Sequence, residues 1–391
     1  MSYSQQRIKV IVAGILSLVV MVGIARFAYT PMIPIMFDQS SLSIAESGWL
    51  AAINYLGYLL GAVITARIKS IEYKDKLFRM ALIVGVITTA MMGIADNVWL
   101  WAISRFFAGL SATGGMLLAS ALVMHWLVKH DFRPEIGLHF SGMGFGIVLC
   151  AVLVEYTHDV VPWHEQWYWL TLVSALLSAW AWIWLPKATT SSASKSGNLM
   201  QDKPPSKPFL RVFQLAYFFS GIGYAVSATY ISATIQTLPG MQDDGVFAFV
   251  LVGIGAIPAA FICDRIARSI GLFKALSLTL FVKLIGISLT IVSGFPLLPM
   301  VGAILFGFGF VGIVNIVLTI AGRYYPSMPA KMMGIMTISY GVSQIIAPAV
   351  TGYLAEVSGS YLGGTLLAIA SVAVSLSIML YLSTKPEAKI V

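Results

Sequence analysis

The sequence GIARFAYTPMIP occupies residues 23–34, in the later half of the first long apolar segment, near Val10–Phe37. An arginine inside such a segment costs about 2.5–3.5 kcal/mol on insertion scales, so Arg26 needs a wet cavity or a partner. No carboxylate lies in the same segment. Two prolines follow, and each removes a helix hydrogen bond and favours a break or kink. Because Arg26, Tyr29 and Thr30 are spaced i, i+3, i+4, they share one face of a helix. This polar face beside a weakened helix predicts a site for a negatively charged group.

Composition predicts an integral membrane protein. Charged residues make up 10% of the chain and hydrophobic residues 58%, whereas soluble domains carry about 25% charged residues. Apolar runs of spanning length predict an all-α membrane protein with twelve transmembrane helices. The predicted segments are Val10–Phe37, Glu46–Ala66, Phe78–Ile94, Val98–Met124, Ile136–Val154, Tyr168–Leu185, Val212–Gln236, Phe247–Cys263, Ala275–Val292, Leu297–Ala321, Met332–Leu354 and Leu362–Leu382.

The distribution of lysine and arginine predicts the orientation. If the N-terminus is cytoplasmic, all but three of the 24 basic residues fall in inner segments. The three exceptions, Arg26, Arg105 and Lys283, lie inside helices. The positive-inside rule therefore places both termini in the cytoplasm, as in a multi-pass protein of the inner membrane. The net charge of +8 is then a signal of topology and gives no evidence for a nucleic-acid partner.

The chain divides into two similar halves. A Ser/Thr/Lys/Pro-rich stretch at 188–208 is typical of a flexible cytoplasmic linker. It separates six predicted helices in residues 1–187 from six in residues 209–391. AVITARI at 62–68 aligns with AFICDRI at 260–266, an offset of 198 residues, and glycines 57 and 109 match glycines 255 and 307. The shared offset indicates duplication, and parallel repeats of this kind place a substrate site near the midplane, between the halves.

Several motifs point to a known family. DRIAR at 264–268 follows the eighth predicted helix, and an incomplete equivalent of it, ARIK at 66–69, follows the second. RFFAG at 105–109 lies in the fourth. With these motifs the whole chain resembles the major facilitator superfamily. RFAYTPMIP at 26–34, NYLGY at 54–58 and GIGY at 221–224 resemble more narrowly the YbfB/YjiJ group, whose substrates are poorly defined.

The resemblance implies two pseudo-symmetric six-helix bundles that rock about a central site. It also implies a conformational latch, in which the Asp-Arg signature bridges helices at the inner face and steadies one conformation. The latch residues carried over from the family pattern are Asp264, Arg265, Arg268 and Arg67.

Each cation inside the membrane has an alternative interpretation. Arg26 could extend to the outer interface instead of lining a cavity. Arg105 could bond neighbouring helix carbonyls or hydroxyls, although the resemblance implies a role in tuning a proton site there. Lys283 lies in the ninth helix, which the family fold places at the periphery, so packing support is favoured over ligand contact.

Acidic groups are missing from the predicted helix centres. Glu155, near the end of the fifth helix, is the closest, whereas many proton-coupled members of the family carry a buried carboxylate in the first or fourth helix. The histidines fall at predicted helix ends or in loops, so we expect no buried histidine relay; they are His125, His130, His139, His158 and His164. Basic groups without acids favour an anionic cargo over a cationic drug.

Other polar residues fit the lining of a pocket, since they share helix faces at spacings of three and four. The alternative is that each of them bonds a neighbouring helix, at about 0.6 kcal/mol per residue. As a set we favour the pocket. The predicted substrate-binding residues are Arg26, Tyr29, Thr30, Asn54, Tyr58, Arg105, Tyr217, Tyr224, Asn315, Tyr340 and Gln344.

Motifs for enzymes and channels are not found. The sequence has no HExxH, no clustered metal ligands and no Gly-x-Ser-x-Gly, and GFGFVG at 307–312 lies inside a membrane helix. We therefore expect no enzyme activity, metal or cofactor. The prediction is a monomeric secondary transporter in the lipid bilayer that moves a small organic anion, a carboxylate by class, by alternating access. The alternatives are a proton-coupled multidrug or metabolite efflux antiporter and a non-transporting membrane sensor.

Overall fold

The computed structural model describes residues 3–130, 132, 136–188, 202–325 and 329–389, and all regular structure within these ranges is helical. Each of the twelve predicted segments corresponds to one long helix, which confirms the predicted fold class. The helices are α1 (Tyr3–Leu18, Val19–Phe27 and Tyr29–Gln39), α2 (Ile44–Arg67), α3 (Ile71–Ile94), α4 (Val98–Thr113, Gly114–Ala119 and Ser120–Lys129), α5 (Ile136–Thr157), α6 (Trp163–Trp184), α7 (Lys207–Gln236), α8 (Gly245–Ile270), α9 (Leu272–Leu289), α10 (Leu297–Tyr324), α11 (Pro329–Ser358) and α12 (Leu362–Ser383).

Eleven helices within the described ranges are long and apolar enough to cross a membrane. The remaining long helix is α6, which reads WHEQWYWLTLVSALLSAWAWIW. Its many tryptophans lower its hydropathy, yet tryptophan and tyrosine are the residues that favour the membrane interfaces. We call the face at which α1 begins and α12 ends the terminal face, and the opposite face the distal face.

Helix starts follow local capping signals. Before α2, the Ser43 hydroxyl accepts a hydrogen bond from the Glu46 N–H at 3.2 Å, and the Glu46 carboxylate accepts one from the Ser43 N–H at 2.9 Å. This capping box satisfies two donors that the first turn leaves free. A similar signal begins α7 at Lys207, where Ser206 caps the helix and Pro208 lies in its first turn. α7 therefore begins at Lys207, earlier than its predicted start at Val212 and within the last residues of the predicted linker at 188–208. Residues 189–201 of that linker lie outside the described residues.

Glycines set the packing of two equivalent helix pairs. A Cβ built on Gly57 of α2 would lie 2.0 Å from a backbone carbonyl oxygen of α4. On Gly255 of α8, 198 residues later, it would lie 2.1 Å from a carbonyl oxygen of α10. The partner glycines Gly109 and Gly307 show the reciprocal contact, at 1.9 Å each. Only glycine permits this approach of two helix backbones, and the structure repeats it at the offset found in the sequence.

The two halves touch most extensively along two helix pairs, α2 with α11 and α5 with α8. Near the distal face the Tyr230 hydroxyl of α7 donates to the Pro348 carbonyl of α11 at 3.2 Å and lies 3.4 Å from the Ser47 hydroxyl of α2. Closer to that face, the Ala45 N–H donates to the Glu356 carboxylate at 2.7 Å. These contacts close the molecule at the distal face.

Candidate functional site

Arg26 lies at the end of an irregular stretch of α1. Residues Val19–Phe27 form a π-helix, and α geometry returns at Tyr29 and continues through Pro34. The sequence predicted a break or kink at the two prolines. The structure instead places the irregular stretch before them. Within the π-helical stretch Gly23 packs directly on Gly146 of α5, since a Cβ on Gly23 would lie 2.3 Å from the Gly146 Cα. Short π-helical stretches of this kind are frequent at functional sites.

The guanidinium of Arg26 reaches across to the other half of the molecule. Its Nη2 donates to the Gln344 Oε1 at 3.3 Å and to the Tyr224 hydroxyl at 3.5 Å. The guanidinium carbon lies 4.7 Å and 4.5 Å from the ring centres of Tyr55 and Tyr58. The residue is 7% exposed, and its Nε has no hydrogen-bond partner among the described residues.

Arg26 is thus a buried cation whose hydrogen-bond acceptors are all neutral. A guanidinium paired with a carboxylate forms bonds of about 2.7–2.9 Å, and both bonds to Nη2 are longer than that. The side chain is held between the two halves and does not extend to the membrane interface. This arrangement leaves a positive charge that an anionic group would satisfy better than its present partners do.

Parallel aromatic rings line the other side of the same region. Tyr217 stacks on Tyr340 with ring centres 4.3 Å apart and planes at 18°, and Tyr340 stacks on Tyr224 at 5.6 Å and 23°. Phe310 packs on Tyr224 at 5.2 Å. Across the interface, Tyr55 meets Tyr224 edge-on, at 6.2 Å and 74°. The C-terminal half therefore presents an aromatic wall, made of Tyr217, Tyr340, Tyr224 and Phe310, beside the guanidinium.

Arg105 is bound to the backbone of α1. Its Nη1 donates to the Ala25 carbonyl at 3.1 Å and its Nη2 to the Arg26 carbonyl at 3.2 Å. Its guanidinium carbon lies 4.5 Å above the ring of Tyr29. Bonds to neighbouring helix carbonyls were the alternative interpretation of this residue. In this state Arg105 holds the segment that carries Arg26.

Three more of the predicted residues are also bonded to backbone. The Thr30 hydroxyl donates to the Ala228 carbonyl at 2.6 Å, and the Tyr29 hydroxyl to a carbonyl of α2 at 3.2 Å. The Asn54 amide donates to the Arg105 carbonyl at 2.8 Å. These bonds fix α1, α2, α4 and α7 relative to one another around Arg26.

Two polar residues of the C-terminal half support helix packing. The Asn315 amide donates to the Ala260 carbonyl of α8 at 3.3 Å, as Asn54 does between α2 and α4. No contact among the described residues joins Asn315 to Arg26, so the structure does not bring it into the cluster. Lys283 is fully buried, and its Nζ donates to the Ser220 carbonyl of α7 at 2.8 Å and lies 3.4 Å from the Ser220 hydroxyl.

One histidine is fully buried near a helix end, although it forms no relay with another histidine among the described residues. His139 is 0% exposed although it lies only one turn into α5. It packs on Gly14 of α1, where a Cβ would lie 2.6 Å from the His139 Nδ1. Neither ring nitrogen has a hydrogen-bond partner within the part of the chain that the structure describes. The reason for its burial is the missing side chain at Gly14, which lets the two helices close over the imidazole.

The predicted latch has a different geometry from the one that the family pattern implied. Asp264 forms an ion pair with Arg268, one turn later in the same helix, and both side chains are partly exposed. Arg265 and Arg67 are exposed, and neither pairs with a carboxylate among the described residues. In this state the signature thus joins no two helices of the described chain through an ion pair.

A second Asp-Arg pair near the terminal face was missed by sequence reasoning. The Arg79 Nη2 and Nε bond the two Asp75 carboxylate oxygens at 3.1 Å and 3.2 Å. Arg79 also donates to the carbonyls of Trp182 and Leu185, at 3.0 Å and 3.1 Å, where α6 ends. Both charged residues are buried. Their i, i+4 spacing was the signal that could have found this pair.

The cluster around Arg26 is closed in this structure. The cavity beside it measures about 10 Å³, room for about one water molecule.

Two aromatic members of the cluster were missed from the sequence. Tyr55 lies three residues before Tyr58 and so shares its helix face, which was a usable signal. No sequence signal marked Phe310, because an apolar residue inside an apolar helix does not stand out from its neighbours.

Comparisons with known proteins agree on a family. The family model described as "Uncharacterised MFS-type transporter YbfB" matches residues 18–380. The transporter YceJ of Bacillus subtilis is 26% identical, covering 94% of this chain and 88% of its own length. The niacin transporter NiaP of Acinetobacter baylyi is 31% identical over 43% of this chain and 37% of its own length. The sialic acid transporter NanX of Escherichia coli is 25% identical over 78% of this chain and 76% of its own length.

The fold also matches a solved structure. The nucleoside transporter NupG superposes with a TM-score of 0.73 at 12% identity, and the match covers 96% of this chain and 98% of that one. At this identity the likeness concerns the fold alone. With the family match over most of the chain and twelve long helices, eleven of them apolar enough to span a membrane, the protein is a multi-pass membrane protein that belongs to the YbfB-type transporters of the major facilitator superfamily.

Proposed function

We propose that the protein is a secondary transporter of a small organic anion, a carboxylate by class, which Arg26 binds between the two halves. The observation that carries this proposal is the state of that side chain. A buried guanidinium faces two neutral acceptors at long distances, and its Nε has no partner among the described residues. A transporter of cations would place a carboxylate in such a position.

A carboxylate matches the unmet bonding capacity of Arg26. One oxygen can replace the Gln344 Oε1 and the Tyr224 hydroxyl on Nη2 while the other accepts from the unpartnered Nε, forming a two-pronged, charge-assisted pair. A carboxylate also adds Coulomb attraction between opposite charges, which the neutral oxygens of Gln344 and Tyr224 lack. NiaP and NanX are named for niacin and sialic acid, which are organic anions at neutral pH, and this supports the same class of cargo here.

Transport would proceed by alternating access, with residues 1–187 and 209–391 as the two moving units. The pairs α2 with α11 and α5 with α8 would form the sliding surfaces, and the contacts of Tyr230 and Glu356 would open to admit cargo at the distal face. Basic residues near the terminal face favour a cytoplasmic location for both termini, with the distal face outward. Export of a monovalent anion would gain about 2.3 kcal/mol per 100 mV of inside-negative potential. We propose a monomer that acts without enzyme chemistry, cofactor or nucleic acid.

Efflux of lipophilic cations is the second candidate function, and the aromatic wall is the observation that favours it, because ring faces attract cations. The guanidinium of Arg26 argues against it, since a cationic cargo would meet a like charge.

The decisive experiment is uptake of radiolabelled nicotinate and N-acetylneuraminate into proteoliposomes, with unlabelled carboxylates or tetraphenylphosphonium as competitors. We expect competition by carboxylates only. Inhibition by tetraphenylphosphonium alone would favour efflux, and saturable binding without flux would favour a sensor.

Variants of Arg26 test the site itself. Arg26→Gln should abolish uptake of the anion at normal expression. Arg26→Lys should keep a measurable fraction, since lysine preserves the charge and loses the two-pronged geometry. Arg323→Gln is the matched control, because Arg323 is an exposed arginine at the end of α10. Near wild-type uptake in both Arg26 variants would contradict the proposed site.

A further inference from the structure

We propose that Lys283 is a proton-binding site, and that it takes up a proton when the anion binds, so that cargo and proton move together. This inference rests on the proposed function, since it takes Arg26 as the residue that binds the anion. It adds the coupling ion and the side chain that carries it. The predicted helix centres of this chain contain no carboxylate that could do so.

Lys283 lies in the interior of the C-terminal half. It is fully buried, about 16 Å from the start of α9 at the helical rise per residue. The backbone of α10 packs on its stem, because a Cβ on Gly309 would lie 2.6 Å from the Lys283 Cβ. The amine turns inward to α7, where it bonds Ser220. It therefore does not extend to a membrane interface, as lysines near helix ends do.

The hydrogen bonds of the amine fit its neutral form. A charged lysine amine has three N–H donors, whereas a neutral one has two donors and a lone pair. The acceptors for the Nζ among the described residues are the Ser220 carbonyl at 2.8 Å and the Ser220 hydroxyl at 3.4 Å. A charged amine would leave its third donor unpaired in apolar surroundings, and such burial is strongly unfavourable. The lone pair of the neutral amine can accept a proton.

No opposite charge contacts Lys283 within the described part of the chain. α9 packs on α7, α8, α10 and α12. The carboxylate that these helices carry is Asp264 of α8, which pairs with Arg268. It lies nearer the terminal face, since its neighbour Cys263 contacts Thr279, one turn of α9 before Lys283. The other ionisable groups of these helices are neutral or basic; they are Lys207, Arg211, Tyr217, Tyr224, Tyr230, Cys263, Arg265, Arg323, Tyr324 and Tyr381, with Lys274 in α9 itself.

α7 connects Lys283 to the anion site. Ser220 and Tyr224 are four residues apart, so they share a face of α7 and are separated by a rise of about 6 Å. The Tyr224 hydroxyl bonds Arg26. An anion held at Arg26 therefore lies close enough to attract a positive charge on Lys283 through an interior of low dielectric constant. Binding of the anion thus favours protonation of Lys283, and by reciprocity protonation favours binding.

This linkage changes what drives transport. A monovalent anion and one proton together carry no net charge. The inside-negative membrane potential then no longer opposes entry of the anion. An inward proton gradient can therefore drive accumulation of cargo.

Proton uptake by the purified full-length protein tests the inference. N-acetylneuraminate or nicotinate, adjusted to the pH of the protein, is added in unbuffered salt solution across about pH 6–9, and a pH-stat records the protons taken up. Calorimetry measures binding in parallel. A linkage of about tenfold gives a maximum uptake of about half a proton per bound anion, and affinity that rises about tenfold as the pH falls.

Variants assign the proton to Lys283. Lys283→Met removes the amine at similar volume, and Lys283→Gln keeps a donor for Ser220, so that one variant serves if the other does not fold. Both should bind the anion without proton uptake, with the affinity of the wild type at high pH and about tenfold less than the wild type at low pH. Lys274→Met, at an exposed lysine in the first turn of the same helix, should behave as the wild type.

The outcomes separate this inference from the proposed function. Binding to the wild type without proton uptake would overturn the inference and leave the anion site intact. Uptake that persists in both Lys283 variants, or loss of binding in both although they fold, would also overturn it, since the proton would then belong to another group or the lysine to the structure of the site. No binding of either acid to the wild type would overturn the anion site and this inference together.

Discussion

The hydroxyl of Thr30 donates to the carbonyl of Ala228 at 2.6 Å, and these two residues lie 198 positions apart in the chain. The same spacing separates Arg26 from Tyr224, which are also in contact. Since 198 is the offset of the internal repeat, residues at equivalent positions of the two halves meet each other at these points. The pseudo-two-fold axis therefore passes through the Arg26 cluster. The two halves have diverged there, with a cation on one side and a neutral hydroxyl on the other.

The Tyr224 hydroxyl should have a modest role compared with Arg26. Tyr224→Phe keeps the stacked ring and removes one acceptor, 3.5 Å from the guanidinium. When the carboxylate takes its place on Arg26, the hydroxyl can donate to that carboxylate instead. A hydrogen bond to a charged group contributes about 1.5–3 kcal/mol, part of which offsets the bond lost to Arg26, so we expect a loss of about two- to tenfold in affinity for the anion. Calorimetry with the same carboxylate on Tyr224→Phe and Arg26→Gln measures the difference. A loss in Tyr224→Phe as large as in Arg26→Gln would contradict the assignment.

Arg105 and Arg26 should respond in opposite ways to the same substitution. Arg105→Lys replaces two donors, aimed at adjacent carbonyls of α1, by one amine, so the π-helical stretch is held less firmly. We expect its thermal midpoint to fall, by less for each kcal/mol lost than the roughly 2–4 °C of a domain of 150–250 residues, because the shift becomes smaller as the chain gets longer. Arg26→Lys should keep the midpoint and weaken anion binding. Thermal unfolding in detergent, run beside calorimetry, checks both variants, and the reverse pattern would show that Arg105 is the residue that binds cargo.

The glycine contacts between paired helices should be intolerant of any side chain. Gly57→Ala and Gly255→Ala each place a Cβ about 2 Å from a backbone carbonyl oxygen, which cannot move aside as a side chain can. Overpacking costs typically 1–3 kcal/mol, and a backbone clash belongs at the upper end or beyond. Gly363→Ala is the control, because nothing lies within 4 Å of a Cβ at that position of α12. Equal thermal midpoints in all three variants would contradict the packing described for α2 with α4 and α8 with α10.

The two Asp-Arg pairs, Asp75–Arg79 and Asp264–Arg268, should differ in how much they stabilise the fold. Asp75→Asn breaks a buried pair, and losing one partner of such a pair costs about 3–5 kcal/mol, so its thermal midpoint should fall. Asp264→Asn removes a partly exposed pair that contributes about 0–1 kcal/mol, so the fold should be unaffected. If the family signature acts as a latch, Asp264→Asn should instead shift the balance between inward- and outward-open states. Labelling of single cysteines engineered at each face measures that balance, and unchanged labelling in Asp264→Asn would exclude the latch.

Long-range repetition in the sequence predicted more of the site than local patterns did. The apolar runs gave the twelve helices because length and hydropathy alone decide whether a segment can span a bilayer. The offset of 198 residues makes Tyr224 the equivalent of Arg26 in the second half, and the structure brings the two into contact. Spacing along one helix was a weaker guide, since Asn54 and Asn315 each share a face with polar neighbours, and only Asn54 lies in the cluster.

Features that depend on the opposing helix could not be read from one segment. The π-helical stretch of α1 packs Gly23 directly against Gly146, a contact that no local pattern specifies. His139 is buried because Gly14 happens to face it. The pairing of Asp264 within its own helix depends on how far apart the neighbouring helices stand at the terminal face. In each case the deciding quantity is the distance between two helices, which hydropathy and spacing do not contain.

The two neutral acceptors on Arg26 have a kinetic consequence. A carrier whose empty site exposes a bare charge crosses its closed state slowly, because that charge must be buried without a counterpart, and such a carrier works as a one-for-one exchanger. Here Gln344 and Tyr224 supply the guanidinium with acceptors inside the closed cluster. Cargo therefore competes for Arg26 with the protein's own side chains, and these side chains can bond the guanidinium once cargo leaves. We expect this carrier to sustain net transport of cargo down its gradient without counter-substrate on the opposite side of the membrane.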